Sequence, residues 1–130
     1  DARLAALEGV RISDTPETVA LLLQVLRDDP DERMRRKAIE SIAILAPRDA
    51  NQEVVAALEK AIEREKDDRQ RGLALLSLIR VSPDSASPVI KRLLPTVEDP
   101  KQRELLSATL QMLDSGERDW LKIMLRWQGR

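Results

Sequence analysis

One pattern centred on an arginine recurs four times along the chain, and it constrains the fold more than any other feature. In each copy an apolar residue follows the arginine by three positions, a small residue by six and an aliphatic residue by seven. The four arginines, separated by 32, 36 and 32 residues, are Arg3, Arg35, Arg71 and Arg103. A repeat of this length is typical of arrays in which each short unit buries its apolar face against the next.

The apolar residues follow the period of a helix, because they recur at steps of three and four positions rather than alternating. Two helix-start signals accompany them. Asp29-Pro30 and Asp99-Pro100 each place a capping Asp before a Pro, with Glu or Gln three residues after the Asp. We predict helical segments, the sixth of them kinked at Pro95, at residues 1–12, 15–28, 30–46, 50–65, 67–81, 87–98, 100–114 and 117–128.

Composition restricts the chemistry that the chain can carry. Hydrophobic residues make up 42% of the sequence, but the only aromatic residues are two tryptophans, so the core must be aliphatic, which suits closely packed helices. There is no cysteine and no histidine. The chain therefore lacks a thiolate nucleophile, a zinc–thiolate site and the commonest general base. We predict no catalytic residue, no metal site and no cofactor.

Charge and hydropathy limit the partners. Charged residues account for 35% of the chain, yet the formal net charge is only −1, so both signs are interleaved as on solvated helix faces. A dedicated nucleic-acid-binding domain is usually strongly basic, so such a partner is not favoured. No run approaches the roughly 20 apolar residues of a membrane-spanning helix. A cytoplasmic location is the expectation.

The stretch DPDERMRRKAIESI, residues 29–42, resembles the second helix of a HEAT repeat, a helix-turn-helix unit that stacks into an α-solenoid. Residues 67–78 and 99–110 are similar to it, with Gln70 and Gln102 at a position that is usually aliphatic. The resemblance covers nearly the whole chain. It implies an all-α fold, a right-handed α-α superhelix of about four helix pairs, forming a single domain over residues 1–130 as a module of a larger chain.

The resemblance also implies roles for the repeated positions. The recurring arginine and the Asp four residues before it in the last three copies are expected to form a ladder between turns and helix starts. The small residues of the pattern would let adjacent helices approach closely. They are Gly9, Ser41, Ser77 and Thr109.

In this family the second helices line the concave face, where partners often bind. The outward positions of these helices change from charged to largely apolar along the chain, and an apolar groove rimmed by charge suits a partner helix or extended segment. A solvated helix face is the alternative for the basic positions, and packing on neighbouring helices is the alternative for the apolar ones. The candidate partner-binding residues are Arg33, Arg36, Lys37, Glu40, Leu73, Leu76, Arg80, Leu105 and Met112.

The function that these observations favour is non-catalytic protein–protein interaction. Two alternatives stay open: a nucleic-acid-binding solenoid, and an enzyme resembling the bilin lyases of the HEAT class. The sequence leaves the identity of the partner and the oligomeric state undetermined.

The C-terminal segment carries basic residues opposite an apolar stripe. The basic positions are Arg118, Lys122, Arg126 and Arg130, and the stripe is Trp120, Ile123, Met124 and Trp127. We predict a helix that closes the last repeat. A basic amphipathic helix that lies on a membrane surface or meets an acidic partner is the alternative.

Overall fold

The computed structural model describes residues 16–45 and 52–128, and within them every regular element is a helix. The prediction of an all-α, HEAT-like fold is confirmed. The first predicted segment, with Arg3 and Gly9, lies outside the described residues. The elements are α1 (Pro16–Asp28), α2 (Glu32–Leu45), α3 (Gln52–Arg64), α4 (Asp68–Val81), α5 (Pro83–Leu93) with a 3-10 turn (Leu94–Thr96), α6 (Pro100–Asp114) and α7 (Trp120–Gln128).

The first of two compact units ends at Val81 and contains α1 to α4. Here α1 packs on α2 and α3 packs on α4, while α1 also contacts α3 and α2 contacts α4. The unit is therefore built from two consecutive helix pairs whose corresponding members are neighbours. Its core is aliphatic, as the composition predicts, and the largest fully buried side chains in it are Leu22, Leu23, Leu26, Ile39, Ile42, Leu58, Ile62, Leu75, Leu78 and Ile79.

The second unit runs from Ser82 to Arg130, and in it α5 packs on α6 and α6 packs on α7. Its core includes Ile90 of α5, Leu106 of α6 and Ile123 of α7. The predicted closing helix is thus present as α7, which covers α6 within this unit.

The helix starts follow the predicted Asp signals with one shift. Asp99 caps α6, because its Oδ2 accepts a hydrogen bond from the backbone N–H of Gln102 over 3.3 Å. In α2 the predicted start at Pro30 is wrong by two residues. Asp29 instead accepts from the N–H of Asp31 over 2.8 Å and forms a turn of its own, so Asp31 becomes the residue before the helix.

The start of α5 differs more from the prediction. The helix begins at Pro83, four residues before the predicted start, because Ser82 and Pro83 already supply a cap position followed by a proline at the first helical position. Pro88 then falls inside the helix, where its missing N–H removes one backbone hydrogen bond without ending the helix. A kink was expected at Pro95 within a helix that continues to residue 98, but the α-helix ends at Leu93 and Pro95 lies in the 3-10 turn that follows.

Two features fix helix ends. After α6, Gly116 has a φ of +96°, and the N–H of Glu117 reaches the carbonyl of Met112 over 2.9 Å, which is the Schellman arrangement. At the end of α1, the guanidinium of Arg64 from α3 donates to the carbonyl oxygens of Leu26 and Arg27. The carbonyls that α1 leaves free at its C-terminus are therefore bound by the neighbouring pair of helices.

Candidate partner-binding face

The neighbouring helices α2 and α4 carry most of the candidate residues on corresponding faces. Side chains three, four and seven residues apart lie on one side of a helix, and this spacing joins Arg33, Lys37 and Glu40 on α2. The same spacing on α4 joins Arg69, Leu73, Leu76 and Arg80. We call these residues, together with Arg36, the α2–α4 face.

Burial differs along this face. On α2, Arg33 is exposed, while the three candidates that follow it are half-buried. On α4, Arg69 and Arg80 are exposed at the two ends, and Leu73 and Leu76 between them are half-buried. A short apolar row is therefore present on α4, flanked by a cation at each end.

Several of the charged side chains on α2 are paired locally. Arg33 Nη2 lies 3.1 Å from Asp31 Oδ2, and this hydrogen bond raises the pKa of the Arg33 guanidinium. Lys37 Nζ lies 3.5 Å from Glu40 Oε2 on the next turn. These pairs are the solvated-face arrangement that the sequence left open for Arg33 and Lys37.

Arg36 and Arg69 differ from these pairs. Neither guanidinium forms a hydrogen bond or an ion pair with any other residue in the described part of the chain. Both line a cavity of about 550 Å³ together with Glu32, Arg33 and Asp67. Arg69 was outside the predicted set, although its place in the repeat, 36 residues after Arg33, was a signal for it.

In the described copies of the repeat, the recurring arginines bind within the protein, but their guanidinium groups do not form the expected ladder with the Asp four residues before them. Arg35 forms a two-point contact with Glu65, with Nε 2.8 Å from Oε1, and its Nη1 donates to the carbonyl oxygens of Asp29 and Pro30. The hydrogen bond to Glu65 raises the pKa of the Arg35 guanidinium. Arg35 thus joins the turn before α2 to the end of α3, and it is unavailable to a partner.

The equivalent arginines use different acceptors. Arg103 donates to the carbonyl of Val97 in the turn before α6. Arg71 pairs with Asp68 at 2.7 Å on the first turn of α4. The aspartates four residues before Arg71 and Arg103 serve as helix caps rather than as partners of those arginines. Arg35 and Arg103 therefore each bind a carbonyl of the turn before their helix, whereas Arg71 pairs within the first turn of its own helix.

The small residues of the repeat lie at helix contacts. Ser41, Ser77 and Thr109 are all buried. The hydroxyl of Ser77 on α4 donates to the carbonyl of Leu73 over 3.0 Å, and it lies 3.5 Å from the carbonyl of Ile39 on α2. The backbones of α2 and α4 therefore approach closely at this point, which the small side chain permits.

The candidates on α6 belong to the second unit. Leu105 is only 6% exposed, so the predicted exposed apolar face does not include it and its side chain is part of the core. Met112 is half-buried near the C-terminal end of α6. The apolar pattern could not separate these cases, because a leucine that packs on a neighbour and a leucine that faces a partner have the same spacing.

In α7 the predicted stripe is only partly buried. Ile123 and Trp127 are buried, whereas Trp120 and Met124 are half-buried. Leu121 and Leu125, outside the stripe, are 59% and 61% exposed. Arg118 donates hydrogen bonds to Asp84 over 2.6 Å and to the carbonyl of Leu113. This member of the basic row therefore binds residues within the second unit. Arg130 lies outside the described residues.

Comparison with known proteins decides the family. A family model described as HEAT repeats matches residues 1–79 and, in a second overlapping match, residues 19–114. The chain belongs to the HEAT-repeat family. HEAT repeats are generally protein-interaction scaffolds, and they are typically not enzymes. No curated protein and no solved structure matches the chain significantly.

Within residues 16–45 and 52–128, no group of three or more acidic side chains is placed to hold a metal ion. None of the helices in those same ranges combines the length and the hydropathy that crossing a membrane requires.

Proposed function

We propose that this HEAT-repeat chain is a non-catalytic module that binds a protein partner on the α2–α4 face. The observation that carries the proposal is the half-buried row of Leu73 and Leu76, which has Arg69 and Arg80 at its ends and a charged helix beside it. An apolar strip with a charged rim suits a helix or an extended segment of another protein. The general role of the family as an interaction scaffold supports the same function.

The mixed charge of the face favours a protein over a nucleic acid. Glu40 lies on the same side of α2 as the basic residues, and Glu32 and Asp67 line the cavity at its end. A phosphate backbone would meet these carboxylates as well as the arginines. The net charge of −1 agrees with this choice. A cytoplasmic location stays a prediction.

The test compares a leucine on the face with a leucine elsewhere. The full-length wild-type protein is first used to capture a partner, and the purified partner is then shown to bind it directly. Leu76→Asp should abolish this direct binding. Leu21→Asp is the matched control, because Leu21 is 40% exposed and belongs to α1, outside the α2–α4 face. Circular dichroism should show the same helical content and melting temperature for both variants.

The outcomes separate the interpretations. Loss of binding with Leu76→Asp but not with Leu21→Asp supports the α2–α4 face. Equal binding by wild type and Leu76→Asp would place the partner elsewhere and overturn the proposal. If Leu76→Asp lowers the melting temperature strongly, partner binding is measured instead with the milder Leu73→Gln, which alters the same apolar row one turn earlier. Retained binding by that stable variant counts against the proposal.

A further inference from the structure

The cavity at the N-terminal end of the α2–α4 face brings residues of two repeats together. Glu32, Arg33 and Arg36 come from the first turns of α2, Asp67 precedes α4, and Arg69 lies in its first turn. A volume of about 550 Å³ is large enough for several side chains of a ligand. Three arginines and two carboxylates from two consecutive repeats therefore line one open cavity.

Only some of the charged side chains that line the cavity are paired within the described residues. Arg33 is held by Asp31, and Oδ2 of Asp67 accepts the N–H of Gln70 over 3.1 Å as a helix cap. Arg36 and Arg69 form no hydrogen bond or ion pair within residues 16–45 and 52–128. Guanidinium groups are planar donors that match the geometry of a carboxylate. The cavity thus offers two such groups that have no acidic partner of their own.

The neighbouring groups select the kind of anion. With three cations and two carboxylates, the lining has a surplus of one positive charge, which a single carboxylate balances. A run of phosphates would bring several negative charges toward Glu32 and Asp67. Single-stranded nucleic acids also depend on aromatic stacking, and the two tryptophans of the chain, Trp120 and Trp127, lie in the second unit.

The row on α4 extends the site beyond the cavity. Leu73 follows Arg69 by four residues and Leu76 by seven, so the half-buried leucines continue along the same side of the helix. A ligand that begins at the cavity meets apolar surface within the next two turns. Its chemistry is therefore acidic at one end and aliphatic at the other.

We infer that the α2–α4 face binds an acidic, aliphatic peptide segment of a partner protein. A carboxylate of the segment enters between Arg36 and Arg69, and its aliphatic side chains lie on Leu73 and Leu76. This inference rests on the proposed function and specifies the chemistry of the partner.

The test uses fluorescein-labelled synthetic peptides with two glutamates followed by leucines at helical spacing. Fluorescence anisotropy with the full-length protein should show saturable binding of this peptide and about tenfold weaker binding of an analogue with both glutamates replaced by glutamine. Arg36→Gln combined with Arg69→Gln should weaken binding of the glutamate peptide by about tenfold or more. Arg126→Gln is the matched control, since it removes an exposed arginine from α7.

Each outcome decides the inference. A glutamate-dependent affinity that falls with the paired arginine substitutions and is unchanged with Arg126→Gln supports it. Equal affinity for the glutamate and glutamine peptides, or no saturable binding, overturns it. Salt-sensitive binding of a labelled polyuridine RNA that is lost with the same substitutions, without peptide binding, would indicate the nucleic-acid alternative. If Leu76→Asp abolishes partner binding while no acidic peptide binds, the proposed function stands and only the carboxylate site is wrong.

Discussion

The indole Nε1 of Trp127 donates a hydrogen bond to Oγ1 of Thr109 over 2.9 Å, and both side chains are buried between α7 and α6. The hydroxyl of Thr109 in turn donates a hydrogen bond to the carbonyl of Leu105 over 2.8 Å. Thr109 holds the small-residue position of the repeat, where Ser77 contacts α2 of the preceding helix pair. The last copy of the pattern therefore uses a helix-contact position to attach the closing helix.

Trp127→Phe should lower the free energy of unfolding by about 1–3 kcal/mol, because the ring is shortened and the hydroxyl of Thr109 loses its donor. Urea unfolding followed by far-UV circular dichroism measures the change. A double-mutant cycle with Thr109→Val isolates the hydrogen bond, with an expected coupling of about 1 kcal/mol. A coupling of zero would mean that the hydrogen bond contributes nothing beyond packing.

Removal of the carboxylate from the Arg35–Glu65 pair should destabilise the first unit. The side chains of Arg35 and Glu65 are 16% and 5% exposed, so Glu65→Ala leaves a largely buried guanidinium without its anion. We expect a loss of about 2–3 kcal/mol by chemical denaturation. Glu59→Ala on α3 is the control, and it should change stability by less than about 0.5 kcal/mol. Similar losses for the two variants would contradict a special role for the pair.

Gln70→Met should stabilise the protein. Gln70 is 1% exposed, and within the described residues neither its Oε1 nor its Nε2 has a hydrogen-bond partner. Met34 occupies the same position of the preceding repeat and is also buried. An unpaired buried amide costs about 1–2 kcal/mol, so a thioether of similar length should raise the melting temperature.

The control for this substitution is Gln111→Met on the exposed side of α6, which should leave the melting temperature nearly unchanged. A decrease with Gln70→Met would show that the buried amide has a partner, such as a water molecule, that methionine cannot replace.

Gly116→Ala should destabilise the end of α6. The φ of +96° is unfavourable for an L-residue, while a Cβ at this position would meet nothing within 4 Å. The cost therefore comes from the backbone alone and should be about 1–2 kcal/mol. Gly116→Asn should lose less, since asparagine tolerates positive φ better than alanine. The order of the melting temperatures, glycine above asparagine above alanine, checks this explanation.

Repeated positions account for most of what the sequence could predict. The scaffold role of Arg35, the burial of Ser41 and the cap formed by Asp99 all follow from features that recur, so one copy supports the interpretation of another. Competition between nearby start signals explains why the start of α5 was predicted incorrectly. Pro83 and Pro88 each follow a serine, so both allow a helix start. The helix begins at the earlier proline, which adds more than one turn to its length.

The candidate site was less accessible to prediction. The sequence placed Leu76 and Leu105 on equivalent outward faces, but exposure depends on which side chains of neighbouring elements cover them. Leu105 is covered and Leu76 only in part. Likewise, the cavity depends on where α2 and α4 lie side by side. That Arg36 and Arg69 line the same cavity is therefore a result of helix packing, which the spacing of residues in the sequence does not give.

The bonds from Arg64 to the last carbonyls of α1 have a consequence for how the first unit opens. Fraying of the C-terminal turn of α1 breaks the hydrogen bonds that Arg64 of α3 donates to its carbonyl groups. Amide protons in that turn should therefore exchange with solvent more slowly in the wild type than in Arg64→Ala. Local stability in one repeat then reports on the integrity of the next, and cooperativity along the array includes a side chain as well as the apolar core.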